Sequence, residues 1–289
     1  VNFADFAYLA ADWGDCVDPA DSSCSKPWKG SSSYRASAAG TVILDGDLSE
    51  WPAFDYDPDN PNDSQWIAID KLYYEGSQPG YLNAAADPNG YMCIMYDAAT
   101  DDVYVALKRH NSSISYGWGY STGVDFFELY MQGDINNDTP ANPQFNYANA
   151  QQYIVSMDDA LGTPASDDLE NRWYIYDESQ DPNIFYEIIG DTTVSSPSGF
   201  ESAAKHTDLG GGLYRVEYEF KLKPFSNYGG FNGTTSTVQD LYSGVQFGFD
   251  LVLISSFDNG STWEDAWLCP NKLEGKWEDV GQYGTVTCE

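Results

Sequence analysis

Leu213-Tyr214-Arg215-Val216-Glu217-Tyr218-Glu219-Phe220-Lys221-Leu222-Lys223 alternates without interruption. Tyr214, Val216, Tyr218, Phe220 and Leu222 fall on one face, and Arg215, Glu217, Glu219, Lys221 and Lys223 on the other. A period of two is that of a β-strand, and one apolar face beside one charged face marks a strand packed on one side only. Working outward, the same signal predicts strands at Tyr91 to Tyr96, Val103 to Leu107, Phe126 to Met131, Tyr153 to Met157, Arg172 to Tyr176, Phe185 to Ile189 and Val245 to Ile254. Turn-forming runs separate them, such as Asp97-Ala98-Ala99-Thr100-Asp101-Asp102 and Asp258-Asn259-Gly260. Many short strands without intervening helices predict an all-β fold, an antiparallel β-sandwich from about residue 41 onward. No internal repeat of solenoid period is visible.

One helix is predicted, over residues 2 to 13. Phe6, Leu9, Ala10 and Trp13 form an apolar stripe, Asn2 stands as N-cap, and Gly14 follows as a C-cap would. A helix this short persists only when packed against something. From Asp15 to about Ala39 the composition turns to Ser, Asp, Pro and Gly, which reads as a linker over residues 25–40.

The 289 residues carry 45 acidic and 13 basic side chains, a formal charge of −32, so nucleic acid and anionic lipid are excluded as partners. Such a charge serves extracellular solubility, cation binding, or both. No run approaches a membrane span, which excludes membrane insertion, and the first residues lack a basic-then-apolar signal. The chain starts at Val1, as a processed or excised product does.

The five cysteines lack any CxxC pair, which argues against zinc and for disulfides. Local closure pairs Cys16 with Cys24 and Cys269 with Cys288. Cys93, within the apolar run Tyr91 to Met95, is then the odd one and is expected to be a buried small hydrophobe. Asn62, Asn111, Asn137, Asn232 and Asn259 head Asn-x-Ser/Thr triplets in polar stretches and are expected on surface loops as potential glycosylation positions.

The segment Leu44-Asp45-Gly46-Asp47-Leu48-Ser49-Glu50-Trp51 resembles the opening of family 9 carbohydrate-binding modules and their DOMON-like relatives. The blocks Tyr91 to Tyr96, Val103 to Leu107, Asp125 to Tyr130, the strand ending at Pro224 and Tyr283-Gly284-Thr285-Val286 extend the resemblance over residues 41–289, with unaligned insertions between 132 and 212. The resemblance implies a jelly-roll-like, extracellular, calcium-holding sandwich. Its sugar-clamping tryptophans do not map onto this chain. A second resemblance, over residues 1–24, is to the end of a dockerin calcium loop and its helix, with Asn2 and Asp5 at late loop positions and the acidic first half missing.

Calcium takes six to eight oxygens, which closely spaced Asp and Asn supply. Asp134, Asn136 and Asp138 have a D-x-N-x-D spacing; Asp55, Asp57 and Asp59 form a second candidate, and Asp45 with Asp47 a third. Solvated acidic turns produce the same patterns. Sugar recognition needs flat aromatic faces beside hydrogen-bonding groups. Tyr116, Trp118 and Tyr120 are the first such set, and Trp263 with Trp267 the second; burial in strands or against the core is the competing explanation. Neither histidine has a triad context and no G-x-S-x-G occurs, so the chain reads as non-catalytic.

Two functions remain open at this point. One is a secreted or cell-surface, calcium-stabilised module that attaches to polysaccharide. The other is a structural subunit of an extracellular fibre or surface layer whose partners are copies of itself, docked through Phe6, Leu9 and Trp13.

Overall fold

The computed structural model describes residues 33–57, 64–68, 90–111, 126–133, 151–158, 168–175, 186–190, 200–210, 213–227, 237–256, 263–267 and 283–289. They form fifteen strands: β1 (Ser33–Ala38), β2 (Trp66–Ala68), β3 (Gly90–Asp97), β4 (Asp102–Asn111), β5 (Phe126–Gln132), β6 (Gln151–Asp158), β7 (Asp168–Ile175), β8 (Tyr186–Gly190), β9 (Glu201–Gly210), β10 (Leu213–Leu222), β11 (Phe225–Asn227), β12 (Thr237–Val238), β13 (Gln246–Ser256), β14 (Trp263–Trp267) and β15 (Gly284–Cys288). The only helical turn among the described residues is a 3-10 turn at Leu48–Glu50.

One sheet runs β8-β7-β6-β5-β13-β15-β1, with β14 also on β13. The other runs β1-β3-β4-β10-β9, with β2 also on β3. The β11–β12 pair stands apart. Strand β1 belongs to both sheets: Ser33 to Ala36 pair with Thr285 to Cys288, and Ser37 and Ala38 with Met95 and Tyr96. The two sheets face each other across a single core. Its second-sheet side is made by Met92, Ile94, Val105, Leu107, Val216, Tyr218, Phe220 and Leu222, and its first-sheet side by Leu129, Met131, Tyr153, Phe247, Phe249, Leu251 and Val286. Each fully buried Phe or Leu contributes roughly 1.5–3 kcal/mol through removal from water. The alternation of β10 therefore does what its sequence implies, with Val216, Tyr218, Phe220 and Leu222 inward.

The C-terminus locks this seam. Glu289 donates its amide to the Ala36 carbonyl, and its own carbonyl accepts from Tyr96 Oη at 2.8 Å. Arg35 Nη1 lies 3.3 Å from the Glu289 side chain.

Several expectations are corrected. The stretch assigned to a linker up to residue 40 contains β1, a strand at the junction of both sheets. Its core positions are Tyr34 and Ala36, and with so few apolar side chains among polar and small neighbours the strand has a linker's composition. The sandwich is not purely antiparallel: β1 runs parallel to β15 and to β3, while every other described pairing is antiparallel. Strand β9 (Glu-Ser-Ala-Ala-Lys-His-Thr-Asp-Leu-Gly) lacks a readable alternation because it is an edge strand with few apolar side chains. The region between 132 and 212 is not merely an insertion, because β6, β7 and β8 extend the first sheet outward from β5.

The expected Cys269–Cys288 bridge is not made: Cys288 is a free, buried thiol. The alternation of β15 turns it inward with Val286, into the core. Cys93 is also free and buried, as its apolar surroundings imply. Burial pushes both thiols up to about 12, which removes thiolate reactivity. Asn111 ends β4 opposite Tyr214 rather than sitting in a turn. The helix over residues 2 to 13 with Phe6, Leu9 and Trp13, the Cys16–Cys24 pair, and Asn62, Asn137, Asn232 and Asn259 lie outside the described residues. Among the described residues no helix is long and apolar enough to cross a membrane.

Candidate functional site

The outward face of the second sheet is not bare. Tyr91, Cys93 and Met95 on β3 and Tyr104 and Ala106 on β4 point away from the main core, and a satellite cluster forms over them from Trp51, Trp66, Val42, Leu48 and Tyr56. The covering chain is the segment carrying Asp45-Gly46-Asp47 and Trp51, and one carboxylate holds it down. Glu219, on the outward face of β10 and fully buried, accepts from Asp45 N at 2.9 Å and Gly46 N at 2.6 Å through Oε2. Its Oε1 accepts from Trp51 Nε1 at 2.7 Å. Burial pushes the Glu219 carboxyl above its ordinary value, with the three donors pulling the other way.

The local sequence is shaped by this contact. Gly46 has φ +78°, and a Cβ there would stand 2.5 Å from the Ala204 carbonyl carbon, so glycine is required on both counts. Asp47 caps the 3-10 turn through Ser49 N, accepts from Lys205 Nζ at 3.2 Å, and is held below the usual carboxylate range by that lysine.

Past Trp51 the chain presents aromatic rings. Phe54 is 48% exposed, the ring that dominates this face. It stands edge-on to Tyr91 at 4.7 Å and tilted to Trp66 at 5.7 Å, while Tyr56 lies 5.2 Å from Tyr91. Lys108 Nζ sits 5.6 Å from the centre of the Phe54 ring, a cation–π contact. The rings are fixed from below and from the side. Trp66 Nε1 donates to the Pro52 carbonyl at 2.9 Å, and the Asp55 carboxylate accepts from the amides of Gln65 and Trp66. Ser64 Oγ donates to the Asp55 carbonyl and accepts from Asp57 N.

The row continues along the sheet. Tyr91 is in register with Lys108, Lys108 with Glu217, and Glu217 with Lys205. Glu217 Oε1 is shared by Lys108 Nζ at 3.6 Å and Arg215 Nε at 3.5 Å. Flat aromatic faces thus adjoin a row of charged hydrogen-bonding groups on a rigid sheet, which is the composition a sugar ring needs from a binding surface.

The structure gives the sequence candidates other places. Asp45 and Asp47 serve the turn and Lys205, and Asp55 staples the residues on either side of 58–63, so their spacing reports backbone hydrogen bonding. Asp59 lies outside the described residues, as do Asp134, Asn136 and Asp138. Among the described residues no three His, Cys, Asp or Glu side chains gather to hold a metal ion. Tyr116, Trp118 and Tyr120 also lie outside the described residues. Trp263 and Trp267 are the ends of β14, paired with Ser256 and Val252 of β13. The surface around Phe54 was missed in the sequence because Phe54-Asp55-Tyr56-Asp57 draws the eye to its acids. The signal available there was two aromatics alternating with those acids, three residues after the Trp51 anchor.

No protein-family model matches the chain, and no curated protein matches it. Among solved structures, the chain is similar to a carbohydrate-binding module of family 9 from Caldicellulosiruptor kristjanssonii, determined in complex with glucose. The match has 13% sequence identity and a TM-score of 0.45, and covers 88% of this chain and 95% of that one.

Proposed function

We propose that the chain is a non-catalytic, extracellular module that binds polysaccharide on the outward face of its second sheet. The observation that supports this most is the exposed Phe54 ring, held by Tyr91, Trp66 and the Asp55 staple and flanked by Lys108. A ring held in place by its neighbours stacks on a sugar with little loss of side-chain freedom, which is what weak carbohydrate contacts require.

In a binding screen across soluble and insoluble glycans, the wild-type protein retains at least one polymer and Phe54→Ala weakens it by about tenfold or more, roughly 1.4 kcal/mol. Phe54 is exposed, so the variant melts close to wild type. A screen with no retained glycan, or full retention by Phe54→Ala, contradicts the proposal.

Calcium enters the same proposal through Asp134, Asn136 and Asp138. A bound ion stabilises only the folded state and separates carboxylates that otherwise repel. Chelation by EDTA is expected to lower the unfolding temperature, and added calcium to restore it. An unchanged melt removes calcium from the account.

A further inference from the structure

We infer that the sugar held at Phe54 is an acidic one, a ring carrying a carboxylate, and that Lys108 and Arg215 receive that group. This rests on the reading of the Phe54 surface as a sugar platform and names the class of ligand it takes.

The distribution of charge carries the inference. The chain has 13 basic residues against 45 acidic ones, yet β4, β9 and β10 bring Lys108, Lys205, Arg215 and Lys221 to one sheet. Two of these are neutralised locally: Lys205 meets Asp47 at 3.2 Å, and Lys221 meets Glu201. The other two share a single carboxylate. Glu217 lies between Lys108 Nζ and Arg215 Nε, leaving that trio with one positive charge in excess.

The excess sits beside the ring, because the same Lys108 Nζ that touches Glu217 is 5.6 Å from the Phe54 centre. Arg215 reaches Glu217 through Nε, an edge contact that is not the two-pronged one a guanidinium makes with a carboxylate. A carboxylate arriving from a sugar stacked on Phe54 supplies the missing negative charge. A neutral sugar offers hydroxyl acceptors but not that charge. The net charge of −32 repels a polyanion from elsewhere on the molecule, but a Debye length of about 8 Å at physiological ionic strength confines the competition to charges near the ring, where Asp55 and Asp57 oppose the carboxylate and Asp55 is partly offset by the amides of Gln65 and Trp66.

The test compares polygalacturonate and alginate, each beside its carboxyl-reduced form, which keeps the linkages and removes the charge. Titration calorimetry on the full chain is expected to show about tenfold or greater preference for the carboxylated polymer of at least one pair, weakening as salt is raised. Lys108→Gln and Arg215→Gln are expected to abolish that preference, weakening binding of the carboxylated polymer far more than binding of its reduced form. Phe54→Ala is expected to weaken both forms. Equal or better binding of the reduced forms, with Phe54→Ala still damaging, overturns the acidic-sugar inference and leaves the platform standing. A carboxylate preference that survives both charge substitutions also overturns it. Binding untouched by Phe54→Ala overturns the platform itself.

Discussion

Replacing Glu219 by alanine is expected to destabilise the fold by about 3–5 kcal/mol, because three donors, two of them buried, lose their acceptor at once. The amides of Asp45 and Gly46 and the indole of Trp51 all end on this carboxylate, and the last two are buried where water does not replace it. Glu219→Gln keeps the volume and one acceptor oxygen, so its cost is smaller; its amide nitrogen, however, faces donors. The pH dependence separates charge from shape. Burial raises the Glu219 carboxyl in the folded state, so the folded chain binds its proton more tightly than the unfolded chain. The stability from that proton is present below the ordinary carboxylate range and is lost as pH rises through the folded value. Denaturant unfolding of wild type and Glu219→Gln across pH checks this: the gap between them is expected to narrow as pH rises. A gap that widens with pH contradicts the assignment, and so does a Glu219→Ala variant that unfolds with wild type.

Trp51→Ala is the second large effect, at about 3–5 kcal/mol for an aromatic removed from a closed cluster. Trp51 is buried against the small and flexible side chains Cys93, Met95 and Ala106 on the outward face of β3 and β4. Its loss opens a cavity there and also removes one of the three donors to Glu219. The two substitutions share that hydrogen bond, so the double variant is expected to cost less than the separate costs together. Trp51→Phe retains most of the packing without the donor and is expected to fall between wild type and alanine. Thermal or denaturant melts of the four proteins check the cycle, and strict additivity would mean that the indole and carboxylate act independently.

The architecture was legible where side chains alternate strongly. Leu213 to Lys223 and Val245 to Ile254 announce their strands because one face of each must pack and period two leaves no other choice. It was illegible where a strand has little to bury, as in Glu201–Gly210, or where it is short and carries only Tyr34 and Ala36 into the core, as in Ser33–Ala38. Parallel pairing of β1 could not be read at all, since nothing local distinguishes which neighbours a strand will take. The candidate site was half visible. Asp45-Gly46-Asp47 and Trp51 stood out as a motif, but their acids looked like chelators until β10 placed Glu219 beneath them. The partnership of Phe54 with Tyr91 and Lys108 depends on residues far apart in the chain, and only the register of β3 on β4 reveals it.

The central claim is that sugar binds at the Phe54 ring, and chemical-shift mapping tests it most directly. Titrating a soluble oligosaccharide from a retained polymer into isotope-labelled protein is expected to move the ring signals of Phe54, Tyr56 and Tyr91 and the side-chain signals of Lys108. Shifts confined to residues away from the outward face of the second sheet, with these four unmoved, would contradict the account.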